Sequence, residues 1–160
     1  MFNNRYVSVV QTSEASWTLN SPVRYGKWLV PAGYVTDFAS VPRLVWQLVP
    51  RFGAYTAATV LHDWLITDAL PNGRITSRAV DRTFRESMRD LGVSVPRRWL
   101  MWAGVRWGAL ANASRRGSPW LRDLPAVLLV SVFALPLLVP AVVVIPSLII
   151  FWLLDLIGKG

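Results

Sequence analysis

The C-terminal part of the chain contains a long segment without charge. Residues 124–154 include no Asp, Glu, Lys or Arg. As one helix this segment would be roughly 46 Å long, more than the ~30 Å hydrocarbon core of a bilayer. Pro136, Pro140 and Pro146 each disfavour an uninterrupted helix. We therefore predict a membrane segment over residues 124–157, either one tilted, kinked span or a helical hairpin. A buried helix within a protein complex is the alternative.

Basic and aromatic residues flank this segment. The arginines precede it and only Lys159 follows it, so the positive-inside rule puts the N-terminal part in the cytoplasm. Tryptophan rings favour the membrane interface. We expect five flanking side chains to contact the membrane surface: Trp107, Arg115, Arg116, Trp120 and Trp152.

Composition limits both the partners and the chemistry. The 160 residues carry a formal net charge of +8, which favours an anionic partner. Without cysteine the chain has no disulfide, thiolate nucleophile or Cys-ligated zinc. Its single histidine, His62, excludes any site that needs two imidazoles from one chain.

The residues before the apolar segment predict an α+β domain over 1–113, joined to it by a basic linker over 114–123. Short β-rich runs broken by polar stretches and turns in residues 1–36 predict a small antiparallel sheet. Helices are expected over 40–48, 55–69, 76–91 and 96–113. Ser40 and Thr76 or Ser77 are the N-cap candidates. The predicted fold class is a small sheet, then a helical subdomain, then a membrane-type hydrophobic helix or hairpin.

The third predicted helix is amphipathic and basic. Its arginines form a stripe opposite the apolar face: Arg78, Arg82, Arg85 and Arg89. One interpretation is a solvated face supported by ion pairs along the helix. The other is contact with anionic phospholipid. Sequence-specific nucleic-acid binding is not favoured, because the stripe lacks interleaved aromatics and no known binding motif occurs.

The second predicted helix is apolar nearly all round, yet His62 and Asp63 lie in its middle. Burying such groups without partners would be costly, so other polar side chains must meet them. In one interpretation Asp37, His62, Asp63 and Asp81 form a site for a divalent metal ion, or His62 is a general base.

In the alternative interpretation these groups are structural. Asp37 and Ser40 then bond to backbone amides at the start of the first helix. Asp63 pairs with Arg43, and His62 is a core residue whose hydrogen bonds are satisfied.

Three motifs carry a resemblance to a known family. They are VPAGYVTDFASVPR at 30–43, ATVLHDWL at 58–65 and DRTFRESMRDLG at 81–92. Over roughly residues 5–110 the chain resembles DUF1353, a family of phage and prophage proteins of unknown function. The resemblance implies a bacteriophage origin and a compact α+β domain, with Asp37, His62, Asp63 and Asp81 at the polar motif positions. It implies no established activity, and the hydrophobic tail is an addition to the family core.

The leading hypothesis is a phage-encoded, membrane-associated accessory protein that acts at the host cell envelope, during lysis or when the genome enters the cell. It would lie in the host inner membrane with its N-terminal domain cytoplasmic. Its partners would be membrane lipid and other phage virion or lysis proteins. One alternative is a metal-dependent hydrolase of cell-wall material or phosphodiesters, and another is a tail-tip component of the virion. The residues favour a non-enzymatic role and require no cofactor other than the metal of the hydrolase alternative.

Overall fold

The computed structural model describes residues 1–38, 49–50, 52–112, 115 and 120–158. The predicted helix over 40–48, with its cap Ser40, lies outside the described residues, and so does Arg43. The element order in the described part is five short strands followed by five α-helices. The molecule is therefore α+β, with the sheets before the helices.

Five short strands form two antiparallel sheets. They are β1 (Val9–Gln11), β2 (Trp17–Leu19), β3 (Val23–Tyr25), β4 (Trp28–Val30) and β5 (Val35–Thr36). One sheet has the order β1-β2-β5, and β3 with β4 forms a separate hairpin. Tyr25 is opposite Trp28, so the turn between them has two residues. Gly26 occupies it at φ +54°, a conformation that such tight hairpins require and that glycine adopts without strain.

Three helices complete the core. They are α1 (Thr56–Trp64), α2 (Ser77–Asp90) and α3 (Val95–Ala111), and α1 continues into a π-helical turn over Leu65–Ala69. The Thr76 hydroxyl caps α2 by accepting a hydrogen bond from the Ala79 amide. Gly92, at φ +79°, ends that segment, and Pro96 lies in the first turn of α3. These boundaries lie within two residues of those predicted.

Two apolar clusters make up the main core. Leu19 and Val30 from the sheets pack with Leu61 and Leu65 on one side of α1. On its other side Tyr55 and Ala58 pack with residues of α2 and α3, namely Phe84, Met88 and Met101. Because α1 is covered on both sides, the polar side chains in its middle are held within the protein.

The C-terminal segment forms two further helices. They are α4 (Leu124–Ala134) and α5 (Val139–Gly158), joined by a 3-10 turn over Leu135–Leu138. A third, small cluster joins α4 to α3, because Val127 packs against Trp102 and Ala103. The first turn of this region, Trp120–Arg122, is also a 3-10 turn.

The prediction of a membrane-type helix or hairpin over 124–157 is wrong. Along the residues that the structure describes, no helix combines the length and apolar character needed to cross a membrane. The α-helical geometry gives way to a 3-10 turn at Pro136, which divides the uncharged stretch. The first piece has 11 residues, and the second contains Pro146 and the charged Asp155. Hydropathy summed along the sequence did not reveal this division.

Candidate functional site

The buried carboxylate of Asp81 is the centre of the polar interior. This side chain, on α2, has no exposed surface. His62 Nε2 lies 2.8 Å from Oδ1, and because a carboxylate only accepts, this nitrogen carries the hydrogen. Arg106 donates from Nη1 to Oδ2 at 2.8 Å, and Arg115 donates from Nη2 to Oδ1 at 2.9 Å. Both oxygens thus accept hydrogen bonds from basic side chains.

A second carboxylate extends this arrangement to the C-terminal segment. Asp123 precedes the first residue of α4, and its Oδ2 lies 3.2 Å from Nη2 of Arg106. Arg78 donates from Nε to its Oδ1 at 3.1 Å. Arg106, only 3% exposed, therefore bridges Asp81 and Asp123. We call these six side chains the Asp81 network: His62, Arg78, Asp81, Arg106, Arg115 and Asp123.

The network does not have the character of a metal site. Three guanidinium groups surround two carboxylates, so a cation approaching Asp81 would meet positive charge and lose the carboxylate lone pairs to the arginines. Within the described ranges no three His, Asp or Glu side chains are placed to hold a metal ion. The four residues predicted as ligands are therefore not brought into one group.

Asp63 and Asp37 lie in a different polar cluster. The half-buried Asp63 carboxylate accepts hydrogen bonds from the hydroxyls of Thr36 and Tyr34. The Tyr34 hydroxyl is also 3.0 Å from that of Thr67. Burial raises the pKa of Asp63, the two hydroxyls oppose the shift, and the nearby charge of Asp37 adds to it. The structure thus places Asp63 near the like charge of Asp37, whereas His62 contacts Asp81.

A strained backbone position follows Asp37. Phe38 has a φ of +63°, a left-handed conformation that costs a non-glycine residue about 1–3 kcal/mol. Its amide donates to the Thr36 hydroxyl at 2.9 Å, and its buried ring contacts those of Trp17 and Phe52. These contacts hold the turn beside Asp63. Nothing in the sequence pattern indicated this strain.

The arginine stripe of α2 is divided between two roles. Arg78 belongs to the Asp81 network, whereas the Arg85 guanidinium lies 4.1 Å from the ring centre of Trp99 on α3. Burial lowers the pKa of Arg85, and the neighbouring positive charges of Arg82, Arg98 and Arg89 lower it further, while Glu86 opposes them. We call Arg82, Arg85, Arg89 and Arg98 the arginine group of α2 and α3. Its aromatic partner, Trp99, comes from α3, so the spacing of residues along α2 did not reveal it.

The other predicted membrane contacts have varied surroundings. Arg115 points into the Asp81 network, where its side chain is 10% exposed. Trp107 Nε1 donates to the Ser131 hydroxyl at 2.9 Å, which ties α4 to α3. Trp152 is exposed on α5. The backbone of Trp120 lies in a 3-10 turn, and Arg116 is outside the described residues.

Two members of the network were missed as site residues. Neither Arg106 nor Asp123 was among the predicted site residues. A signal for Arg106 existed, since it is a single charge in the apolar run of residues 99–111. A charge in such a run must find a buried partner or reach water.

Comparison with known proteins places this domain in a family. The family model DUF1353, described as a protein of unknown function, matches residues 15–105, more than half of the chain. The chain belongs to the DUF1353 family. This DUF1353 match contains Asp37, His62, Asp63 and Asp81, and it ends before Arg106 and the C-terminal helices. No curated protein and no solved structure is significantly similar to the chain.

Replacing Asp81 tests how much the Asp81 network contributes to the stability of the fold. Asp81→Asn leaves the buried Arg115 without its counter-charge and leaves Arg106 with Asp123 alone, so we expect the free energy of unfolding to fall by about 3–5 kcal/mol. Urea denaturation measures this loss. The matched control is Asp68→Asn, since Asp68 is exposed and pairs with Arg74 at the surface, where such a pair contributes less than about 1 kcal/mol. Equal losses of stability in the two variants would contradict the conclusion that Asp81 is the buried counter-charge of these arginines.

Asp63 gives a pH dependence of defined sign. Its pKa in the folded chain lies above the ordinary 3.8, so the folded state binds this proton more tightly than the unfolded state. The contribution of Asp63 to stability therefore falls as pH rises from 3.8 through the folded pKa. Asp63→Asn removes this titration. We expect the wild-type free energy of unfolding, minus that of the variant, to decrease across this window in denaturation series. A difference that stays constant or rises with pH would contradict a raised pKa for Asp63.

Proposed function

We propose that this chain is a phage-encoded accessory protein that acts at the host cell envelope by contacting an anionic lipid surface without crossing it. The observation that carries the proposal is the exposed apolar surface of α4 and α5. Phe133 is 74% exposed, Trp152 60% and Ile157 77%. Other large apolar side chains are exposed on the same two helices: Leu128, Leu129, Val132, Ile149, Ile150, Phe151, Leu153 and Leu154.

An apolar surface of this extent is uncommon on a soluble monomer. Large exposed apolar patches mark sites for lipid or protein partners, because leaving them in water forfeits about 25 cal/mol for each Å² that could be buried. α4 is fixed to the core through Val127 and Ser131, so the opposite side of this helix remains open. The C-terminal helices thus present a surface that a partner would cover.

Charge supports a lipid partner. The net charge of +8 includes the arginine group of α2 and α3, in which the Arg85 guanidinium lies over Trp99 of α3. Each basic residue near an anionic membrane contributes about 1 kcal/mol of attraction. The phage origin rests on the resemblance of the three motifs in residues 30–92 to phage and prophage proteins. Assembly into a virion is the competing explanation of the apolar surface.

Vesicle flotation tests the proposal. The full chain should float with phosphatidylglycerol vesicles and much less with phosphatidylcholine vesicles. Phe151→Asp combined with Leu154→Asp should reduce flotation about tenfold or more, since both exposed side chains would then carry charge into the apolar contact.

The matched control places the same charges elsewhere. Val10→Asp combined with Val35→Asp changes two exposed apolar residues of the sheet and should leave flotation unchanged. Failure of the wild type to float, or equal flotation of the α5 variant, would contradict lipid contact. Recovery of the chain as a defined oligomer that the α5 variant dissociates would instead support protein assembly.

A further inference from the structure

A groove lies between the first two turns of α3 and one side of α4, from Ala126 to Ala134. Its volume is about 540 Å³, within the roughly 300–1,000 Å³ typical of small-ligand sites. The helices are joined on the other side of the groove, where Asp123 pairs with Arg106 and Val127 packs on Trp102. Ala126 and Ala134 line it with side chains that are too small to fill it.

The lining combines a long apolar wall with one cation. The apolar side chains include Pro96, Leu100, Leu129, Val130 and Phe133. Among the described residues that line the groove, Arg97 carries the only charge, and its side chain is exposed. The next residue, Arg98, belongs to the arginine group around Arg85. A ligand that matches this lining has a hydrocarbon part and an anionic head.

We infer that the groove binds one acyl chain of an anionic phospholipid, with the phosphate held by Arg97. This inference rests on the proposed contact with lipid and names the ligand of that surface. Leu129 and Phe133 belong both to the groove and to the exposed apolar surface of α4. An acyl chain therefore passes from the lipid surface into the groove without losing apolar contact.

The size of the groove favours a hydrocarbon chain over a helix from a second copy. Two turns of helix, about 11 Å long and about 10 Å wide with side chains, occupy roughly 860 Å³, which exceeds the 540 Å³ of this groove. An extended acyl chain is narrower. The position of Arg97 also suits a phosphate, because a guanidinium donates two parallel hydrogen bonds to it.

Calorimetry with a short-chain lipid below its micelle concentration tests the site apart from any membrane. The probe is dihexanoyl phosphatidylglycerol, titrated into the full chain. We expect binding that weakens about tenfold or more in Arg97→Glu, and also in Val130→Trp or Ala134→Trp, which fill the groove. Circular dichroism confirms that each variant is folded, and two filling positions keep the test available if one of them does not fold.

The control is Arg24→Glu, an exposed arginine on β3, which should bind as the wild type does. Absence of binding to the wild type, unchanged binding to both folded groove-filling variants, or equal affinity for dihexanoyl phosphatidylcholine would overturn the inference. If vesicle flotation persists while this binding is absent, the groove assignment is wrong and the lipid-surface proposal stands. If short-chain lipid binds but vesicles do not float with the chain, the groove assignment stands and the lipid-surface proposal is wrong.

Discussion

The rest of the structure depends on the buried carboxylate of Asp81. Its two oxygens accept hydrogen bonds from α1, from α3 and from Arg115 in the region before α4. Removing a carboxylate and its partners from water is costly, and only near-complete pairing repays that cost. The network satisfies most of these groups, although within the described residues Nε of Arg106, Nε of Arg115 and Oδ2 of Asp123 have no hydrogen-bond partner. The geometry of the three helices is thereby restricted to arrangements that keep these contacts.

The same network determines where the apolar C-terminal segment begins. Arg106 binds Asp81 with one nitrogen and approaches Asp123 with the other, and Asp123 directly precedes α4. Val127 and Ser131 then hold the following turns of α4 against α3. One side of α4 is consequently fixed to the core and the other faces outward. The exposed apolar surface and the groove beside Arg97 both follow from this attachment.

Local features of the fold were predictable from local sequence. The Thr76 cap, Gly92 and Pro96 define helix ends through their own backbone and side-chain chemistry, and the structure confirms them. The requirement that His62 find a polar partner also followed from its apolar helix. Asp81 was one of several candidate partners, and the sequence did not single it out, because it is 19 residues away and its pairing depends on how α1 packs against α2.

The errors have physical causes as well. Arg115 was predicted to contact a membrane surface because it lies just before the apolar segment. Its position in the sequence does not reveal that it donates a hydrogen bond to the buried Asp81, 34 residues away. The prediction of a membrane-type segment treated the prolines only as a kink or a hairpin turn, whereas the 3-10 turn at Pro136 divides the segment into separate helices. The strained Phe38 and the closeness of Asp37 to Asp63 arise from tertiary packing around a turn. None of these features can be predicted without the distances between secondary-structure elements.

Hydrogen exchange of the α4 amides in Asp123→Asn tests most directly whether the Asp81 network positions the apolar segment. The substitution removes the charge that Arg106 and Arg78 contact and leaves the apolar residues in place. We expect amides of residues 127–134 to exchange about tenfold faster or more, while those of α1 are unchanged. Unchanged protection of α4 would contradict this role of the network, because Val127 and the Trp107–Ser131 hydrogen bond would then hold the helix in place without it.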